Sequence, residues 1–278
     1  MTIASASAPD LPAADAATGH RLRVVLVGTQ HPGNIGSAAR ALKTMGLARL
    51  VLVAPEKAPN AESSALAAGA DDVLQAAEVH ATLADAVADC RLVLGCTARS
   101  RRVSLEELSP RAAAPRAVAA AAAGGEVALV FGRERTGLDN DELQLCHAAI
   151  HIPANPDYSS LNLAAAVQVV AYEVRLALMG DAAPPAGSSD RGHATVSADT
   201  ADPRDEPATH AHLEGLFAQL ADTLDEIDFH KGRAPESAMR KLRRVFLRAD
   251  LDVREVRLLR GVLADAQRMA RMAGHDGA

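Results

Sequence analysis

The chain has 278 residues, 49% of them apolar but only 2% aromatic and none tryptophan; this length suits two domains, or one with tails, around an aliphatic, small-residue core. A net charge of −6 excludes a globally basic nucleic-acid binder, so any RNA contact must come from local basic patches. Three cysteines, Cys90, Cys96 and Cys146, without CxxC spacing, argue against a disulfide framework or a cysteine zinc site and for a reducing, cytoplasmic setting.

Residues 1–20 are Ala, Ser, Pro, Asp and Thr without a packing face and read as a disordered extension. Leu22–Gly28 is predicted as a strand and Thr29–Gly33 as a turn. Asn34–Met45 has helical spacing, with Ile35, Ala38, Ala39 and Leu42 on one side, and Gly46 ends it. A strand over Leu47–Val53 is stopped by Pro55. Short helices are predicted at Ser63–Gly69 and Leu83–Ala88, a strand at Arg91–Cys96 and an alanine-rich helix at Leu108–Ala123. Val127–Phe131 is a buried strand ended by Gly132. A charged loop, Arg133–Gly137, follows it. Asp139 with Glu142 has the spacing of a capping box. Ala149–Pro153 is a further strand, Asn155–Ser160 a polar turn, and Ser159 or Ser160 can cap an apolar helix to about Met179.

Strands alternating with helices imply an α/β domain with a largely parallel sheet over residues 21–179. Residues 180–209 are Pro, Gly, Ser, Asp and Ala and read as a flexible linker. Residues 210–278 return to helical periodicity over His212–Phe229, a strongly basic Ser237–Arg248, and Asp252–Met272. This small helical domain can bury little core alone. No apolar run reaches the ~18–20 residues of a membrane span, and the N-terminus lacks signal-peptide character.

Three motifs carry a family resemblance. Gly33-Asn34-Ile35-Gly36-Ser37-Ala38-Ala39-Arg40 resembles the first motif of the SpoU branch of the SPOUT methyltransferases. The stretch Glu126–Arg175, with FGRERTGLDNDEL and IPANPDYSSLNLAAA, resembles the second and third. The resemblance covers roughly Leu22–Met179 and extends to MRKLRRVF and LRGVL near the C-terminus. It implies a sheet with a deep trefoil knot near the end of the domain, S-adenosylmethionine as cofactor, and a homodimer. In that dimer Arg40 of one chain serves the cofactor bound by the other. The implied reaction is 2′-O-methylation of a tRNA ribose, at cytidine or uridine 32 of the anticodon loop. Ribosomal RNA is the alternative substrate, and a non-catalytic RNA-binding module the alternative class.

The resemblance also assigns residues. Arg40 matches an essential arginine linked to activation of the 2′-hydroxyl. A guanidinium stays protonated and is a poor base, so alignment and stabilisation of a developing alkoxide fit it better. Asn34, on the same helix, can hydrogen-bond the same region or serve as a turn residue. Glu134 is expected to orient Arg40 or a neighbouring arginine, or else to lie in a solvated loop. Cofactor contacts are implied for Cys96, Thr97, Ala98, Gly132, Ile152, Ser159, Ser160 and Leu161, mostly through backbone, with Asn162 as a companion. RNA contacts are expected from Arg99, Arg101 and Arg133, from Tyr158 by stacking, and from Arg240, Lys241, Arg243 and Arg244 in the helical domain.

Other spacings weigh less. Cys96 and Arg102 have the Cys-x5-Arg spacing of a cysteine phosphatase, but the usual preceding His and the loop glycines are missing. His147 and His151 span a helix end and a strand and lack a third ligand, so no metal is expected. Gly28, Gly33 and Gly36 depart from G-x-G-x-x-G, so a dinucleotide site is not indicated.

Overall fold

The computed structural model describes residues 17–98, 105–180, 206–231 and 234–275. Residues 1–16 of the expected 1–20 extension, most of the linker, and Arg99, Arg101 and Arg102 lie outside the described residues. The chain divides into two compact units, Met1–Ala86 with Leu92–Gly187, and Val87–Arg91 with Ser188–Ala278.

The first unit is built on β1 (Leu22–Val27), whose six residues are all buried. Such an unbroken apolar run marks a strand covered on both faces. After it come α1 (Pro32–Thr44), β2 (Arg49–Val53), α2 (Ala61–Ala67), α3 (Asp71–Gln75), β3 (Glu78–His80), α4 (Leu83–Ala86) and β4 (Cys90–Cys96). Then follow β5 (Glu106–Leu108), α5 (Pro110–Ala122), β6 (Glu126–Phe131), α6 (Asn140–Gln144), β7 (Ala148–Ile150) and α7 (Leu163–Leu178). The seven strands form one parallel sheet in the order β3-β2-β1-β6-β4-β7-β5.

Two strands escaped the sequence reading. β3 (EVH) and β5 (EEL) are three-residue strands at the two edges of the sheet. Short charged edges of this kind blunt further strand pairing and leave no apolar period to detect. Residues 17–19, expected to be part of the extension, form a helical turn in which Gly19 is buried.

Helix α1 begins with proline in its first turn, where the missing N–H costs nothing. Its buried side, Ile35, Ala38, Ala39 and Leu42, enters the main core with Leu22, Val24 and Leu26. Gly36 decides how closely α2 approaches, since a Cβ there would lie 2.0 Å from Ser63 O. At the sheet's opposite end, Glu126 pairs with Arg21, Arg23 and Arg49. Arg23 is almost fully buried and also donates to Ala86 O at 3.1 Å.

The second unit contains α8 (His210–Glu226), α9 (Pro235–Ala249) and α10 (Val253–His275). Its core is small: Leu213, Leu216, Phe217, Leu247 and Val256, with Phe246 and Leu263 against them. Asp252 and Glu255 cap the start of α10 reciprocally, at 2.7 and 3.0 Å, as a capping box does.

Gly36→Ala forces backbone apart and should lower stability by about 2 kcal/mol or more. Chemical denaturation of the two proteins checks it, and equal midpoints would contradict the tight α1–α2 contact.

Candidate active site

Loops at the carboxyl ends of β4, β6 and β7 line one pocket. Cys96, Thr97 and Ala98 follow β4; Gly132 to Gly137 follow β6; Ile152, Ser159, Ser160 and Leu161 follow β7. Crevices at this end of a parallel sheet are where α/β folds take ligands. Strand register brings the loops level: Cys96 pairs with Ile150, and Thr97 N donates to Ile150 O at 2.9 Å. Phe131, Ile152, Leu161, Leu163 and Ala166 give the pocket an apolar side, and the loop Arg133–Thr136 gives it a polar rim. Eight of the nine expected cofactor residues therefore share one cavity.

Asn162 is the ninth, and the structure gives it other work. Its side-chain oxygen accepts from Ala164 N and Ala165 N, so Asn162 is the N-cap of α7 in place of Ser159 or Ser160. Its amide nitrogen donates to Asn34 Oδ1 at 3.0 Å.

Gly132 was expected to let a ligand approach. What crowds it first is the loop itself: a Cβ there would lie 2.2 Å from Gly137 C and Leu138 N. The turn closes with Gly137 N donating to Arg133 O at 2.8 Å, and Gly137 takes the positive φ of 69° that this geometry requires.

Glu134 does not meet Arg40. Its carboxylate accepts from Gln30 N at 3.0 Å, His31 N at 3.2 Å and Asn34 Nδ2 at 2.9 Å. Partial burial pushes its pKa up, the largest single influence, but the bonds from Asn34, Gln30 and His31 together outweigh it and leave the group below the usual glutamate range. Glu134 is thus an ionised clasp between the β6 loop and the start of α1, and a poor proton acceptor. Asn34 links it onward to Asn162.

Arg40 lies six residues beyond Asn34 on α1, about 9 Å along the axis at 1.5 Å per residue. It is exposed, makes no side-chain hydrogen bond or ion pair among the described residues, and does not line the pocket.

The two arginines flanking Glu134 differ sharply. Arg133, expected to touch RNA, packs its side chain against Gly28, where a Cβ would meet Nε at 2.8 Å. Its guanidinium is committed to Glu142 at 2.9 Å. Arg135 is exposed, lines the pocket and has no partner among the described residues. Glu142 also forms the expected capping box with Asp139.

Tyr158 is 83% exposed, in a turn closed by Tyr158 N to Asn155 O at 2.9 Å. Local packing does not explain it. Arg240 and Lys241 are exposed on α9 and Arg244 is half-buried. Arg243 turns inward: it pairs with Glu214 and lies 4.3 Å from the centroid of the Phe217 ring. That burial removes it from the basic face. Charge in this unit is segregated, with four acids and no Lys or Arg on α8 but five bases and one acid on α9.

Burial pushes the Cys96 thiol up to about 12, so it is protonated and cannot act as a phosphatase nucleophile. His147 Nδ1 accepts from Val93 N at 3.0 Å, and His151 Nδ1 lies 3.3 Å from Thr97 O. Both imidazoles serve the backbone. Among the described residues no group of three His, Cys, Asp or Glu side chains is placed to hold a metal, and no helix is long and apolar enough to cross a membrane.

A family model described as the SpoU rRNA Methylase family matches residues 21–172. The chain belongs to the SpoU methylase family. A second model, the C-terminal domain of the tRNA methyltransferase TrmJ, matches residues 211–275. Among SpoU relatives, the tRNA (cytidine/uridine/adenosine-2′-O-)-methyltransferase TrmJ of Pseudomonas aeruginosa is 46% identical over 90% of this chain and 95% of its own length. The tRNA (cytidine/uridine-2′-O-)-methyltransferase TrmJ of Salmonella typhimurium is 47% identical over 88% and 96%. The crystal structure of TrmJ from Z. mobilis has a TM-score of 0.70 at 35% identity, covering 87% of this chain and 97% of that one.

With a thiol held near 12, only about one Cys96 in 10⁴ is thiolate at pH 8. Iodoacetamide labelling read by mass spectrometry should leave Cys96 largely unmodified in the folded protein and modify it after denaturation. Rapid labelling of the folded state would contradict this assignment.

Proposed function

We propose that this chain is an S-adenosylmethionine-dependent tRNA 2′-O-ribose methyltransferase acting on nucleotide 32 of the anticodon loop. The observation that carries the reading is that relatives named as tRNA 2′-O-methyltransferases match both the sheet domain and the helical segment, across 90% of the chain. The match of residues 211–275 to the TrmJ C-terminal domain favours tRNA over ribosomal RNA.

The pocket suits the cofactor on its own chemistry. An apolar slot beside exposed backbone groups fits an adenine. Ile152, Leu161 and Leu163 would flank the base, with the backbone of Thr97, Ala98 and Ser159–Leu161 at its edges. When bound, S-adenosylmethionine supplies a methyl group already activated by its sulfonium. The protein's work is then to align the 2′-oxygen and to stabilise charge developing on it.

Arg40 performs that role for a partner's pocket. It does not reach the pocket of its own chain, and α1 lies beside a largely apolar stripe of α7, in which Ala165, Tyr172 and Met179 are exposed and Val169 and Leu176 half-exposed. Arg175, on that stripe's flank, donates to Met45 O at the end of α1. A second copy seated on this stripe would cover it and receive Arg40. A trefoil knot fits the sheet order, in which β7 lies between β4 and β5, both earlier in the chain. A tRNA-modifying role places the protein in the cytoplasm. Arg240, Lys241 and Arg244 then grip tRNA phosphates from outside the pocket.

Methyl transfer from labelled S-adenosylmethionine to unmodified tRNA, with product mapping, tests the reading. Label should fall on the ribose of nucleotide 32. Arg40→Ala should lower turnover by about 10² or more, as loss of a transition-state donor does, with cofactor affinity unchanged. Label on ribosomal RNA alone would overturn the substrate, and full activity of Arg40→Ala would overturn the role of Arg40.

A further inference from the structure

The turn Arg133–Gly137 is anchored at three of its five positions. Arg133 is pinned between Gly28 and Glu142. Glu134 is clasped by two backbone N–H groups and Asn34. Gly137 closes the turn onto Arg133 and packs on Gly132. Arg135 is exposed at the pocket's edge, with no carboxylate opposite it among the described residues. In a chain of net charge −6, an unneutralised guanidinium on an immobilised backbone is a placed charge. Preorganisation of this kind lowers the cost of binding, and a guanidinium matches phosphate oxygens in paired hydrogen bonds.

We infer that Arg135 is a substrate-positioning residue that holds an RNA phosphate next to the ribose being methylated. The inference rests on the proposed RNA methyl transfer and adds a residue to it. Two anions could meet this rim: the carboxylate of the cofactor's amino-acid tail and the RNA backbone. Exposure favours the second. A cofactor seated in the pocket gains most from partners shielded from water, whereas a polynucleotide docking from outside meets the rim first. Arg133 cannot substitute, because Glu142 already neutralises it. A phosphate held here anchors the nucleotide while its 2′-oxygen faces the pocket, which restricts the approach to one geometry.

The test compares the full-length wild type with Arg135→Ala and Arg135→Lys. It measures tRNA affinity across salt concentrations, S-adenosylmethionine affinity by calorimetry, and steady-state kinetics. Arg135→Ala should weaken kcat/KM for tRNA about tenfold or more, mainly through KM. Its plot of log affinity against log salt should be shallower by about 0.7, the loss of one single-strand phosphate contact. Cofactor affinity should stay within about twofold. Arg135→Lys should restore part of the loss and most of the salt slope, which a purely structural defect would not do. Weakened cofactor affinity with an unchanged salt slope would assign Arg135 to the cofactor's carboxylate and overturn the inference. Unchanged kinetics in Arg135→Ala, with an active wild type, would overturn it while leaving the proposed function standing. A wild type that neither binds nor methylates tRNA would remove the proposed function itself.

Discussion

The site depends on one carboxylate. Glu134 collects the N–H groups of Gln30 and His31 and the amide of Asn34, and so ties the loop after β6 to the turn after β1. Both loops hang from adjacent parallel strands, with Phe131 in register with Leu26. Asn34 passes the connection to Asn162, which caps α7 and stands directly after the Ser159–Leu161 wall. Two pocket walls and the helix carrying Arg40 are therefore joined by a single hydrogen-bonded chain, Glu134–Asn34–Asn162. Each link is an amide or a carboxylate meeting a partner of fixed direction. Such networks specify one arrangement, because a half-made version leaves polar groups unsatisfied.

That chain changes what the motif residues mean. A glutamate between two arginines invites a reading in ion pairs, and the structure gives it none. Its charge is spent on backbone N–H groups and the Asn34 amide instead, which leaves Arg135 without a counter-charge among the described residues and Arg133 with Glu142. The same division recurs in the helical unit. Arg243 is consumed by Glu214 and Phe217, so of the basic run on α9 only part faces solvent. An arginine's neighbours in space, not its place in a basic run, decide whether it can take a phosphate.

Much of the fold was legible in the sequence. Leu22–Val27, Arg49–Val53 and Glu126–Phe131 are apolar runs bounded by glycine or proline, Cys90–Cys96 is a largely apolar run, and each is a strand within one or two residues of expectation. The loops lining the pocket were found through motif resemblance, because no local period announces them. What stayed hidden has physical causes. The edge strands β3 and β5 are too short and too polar to show alternation. The cap of α7 is Asn162, whose amide nitrogen also meets Asn34, 128 residues away in sequence. The crowding at Gly132 comes from the backbone of Gly137 and Leu138 folding back, which no residue-by-residue reading reveals.

Asn34 and Asn162 act as one link between the pocket walls. A double-mutant cycle on cofactor affinity tests it most directly, using Asn34→Ala, Asn162→Ala and the pair, measured by calorimetry. The second substitution should cost less once the first is made, by a coupling of about 0.5–1.5 kcal/mol, because only the Asn34–Asn162 bond is shared. Strictly additive losses would mean that the two asparagines serve the pocket independently, and would contradict the account.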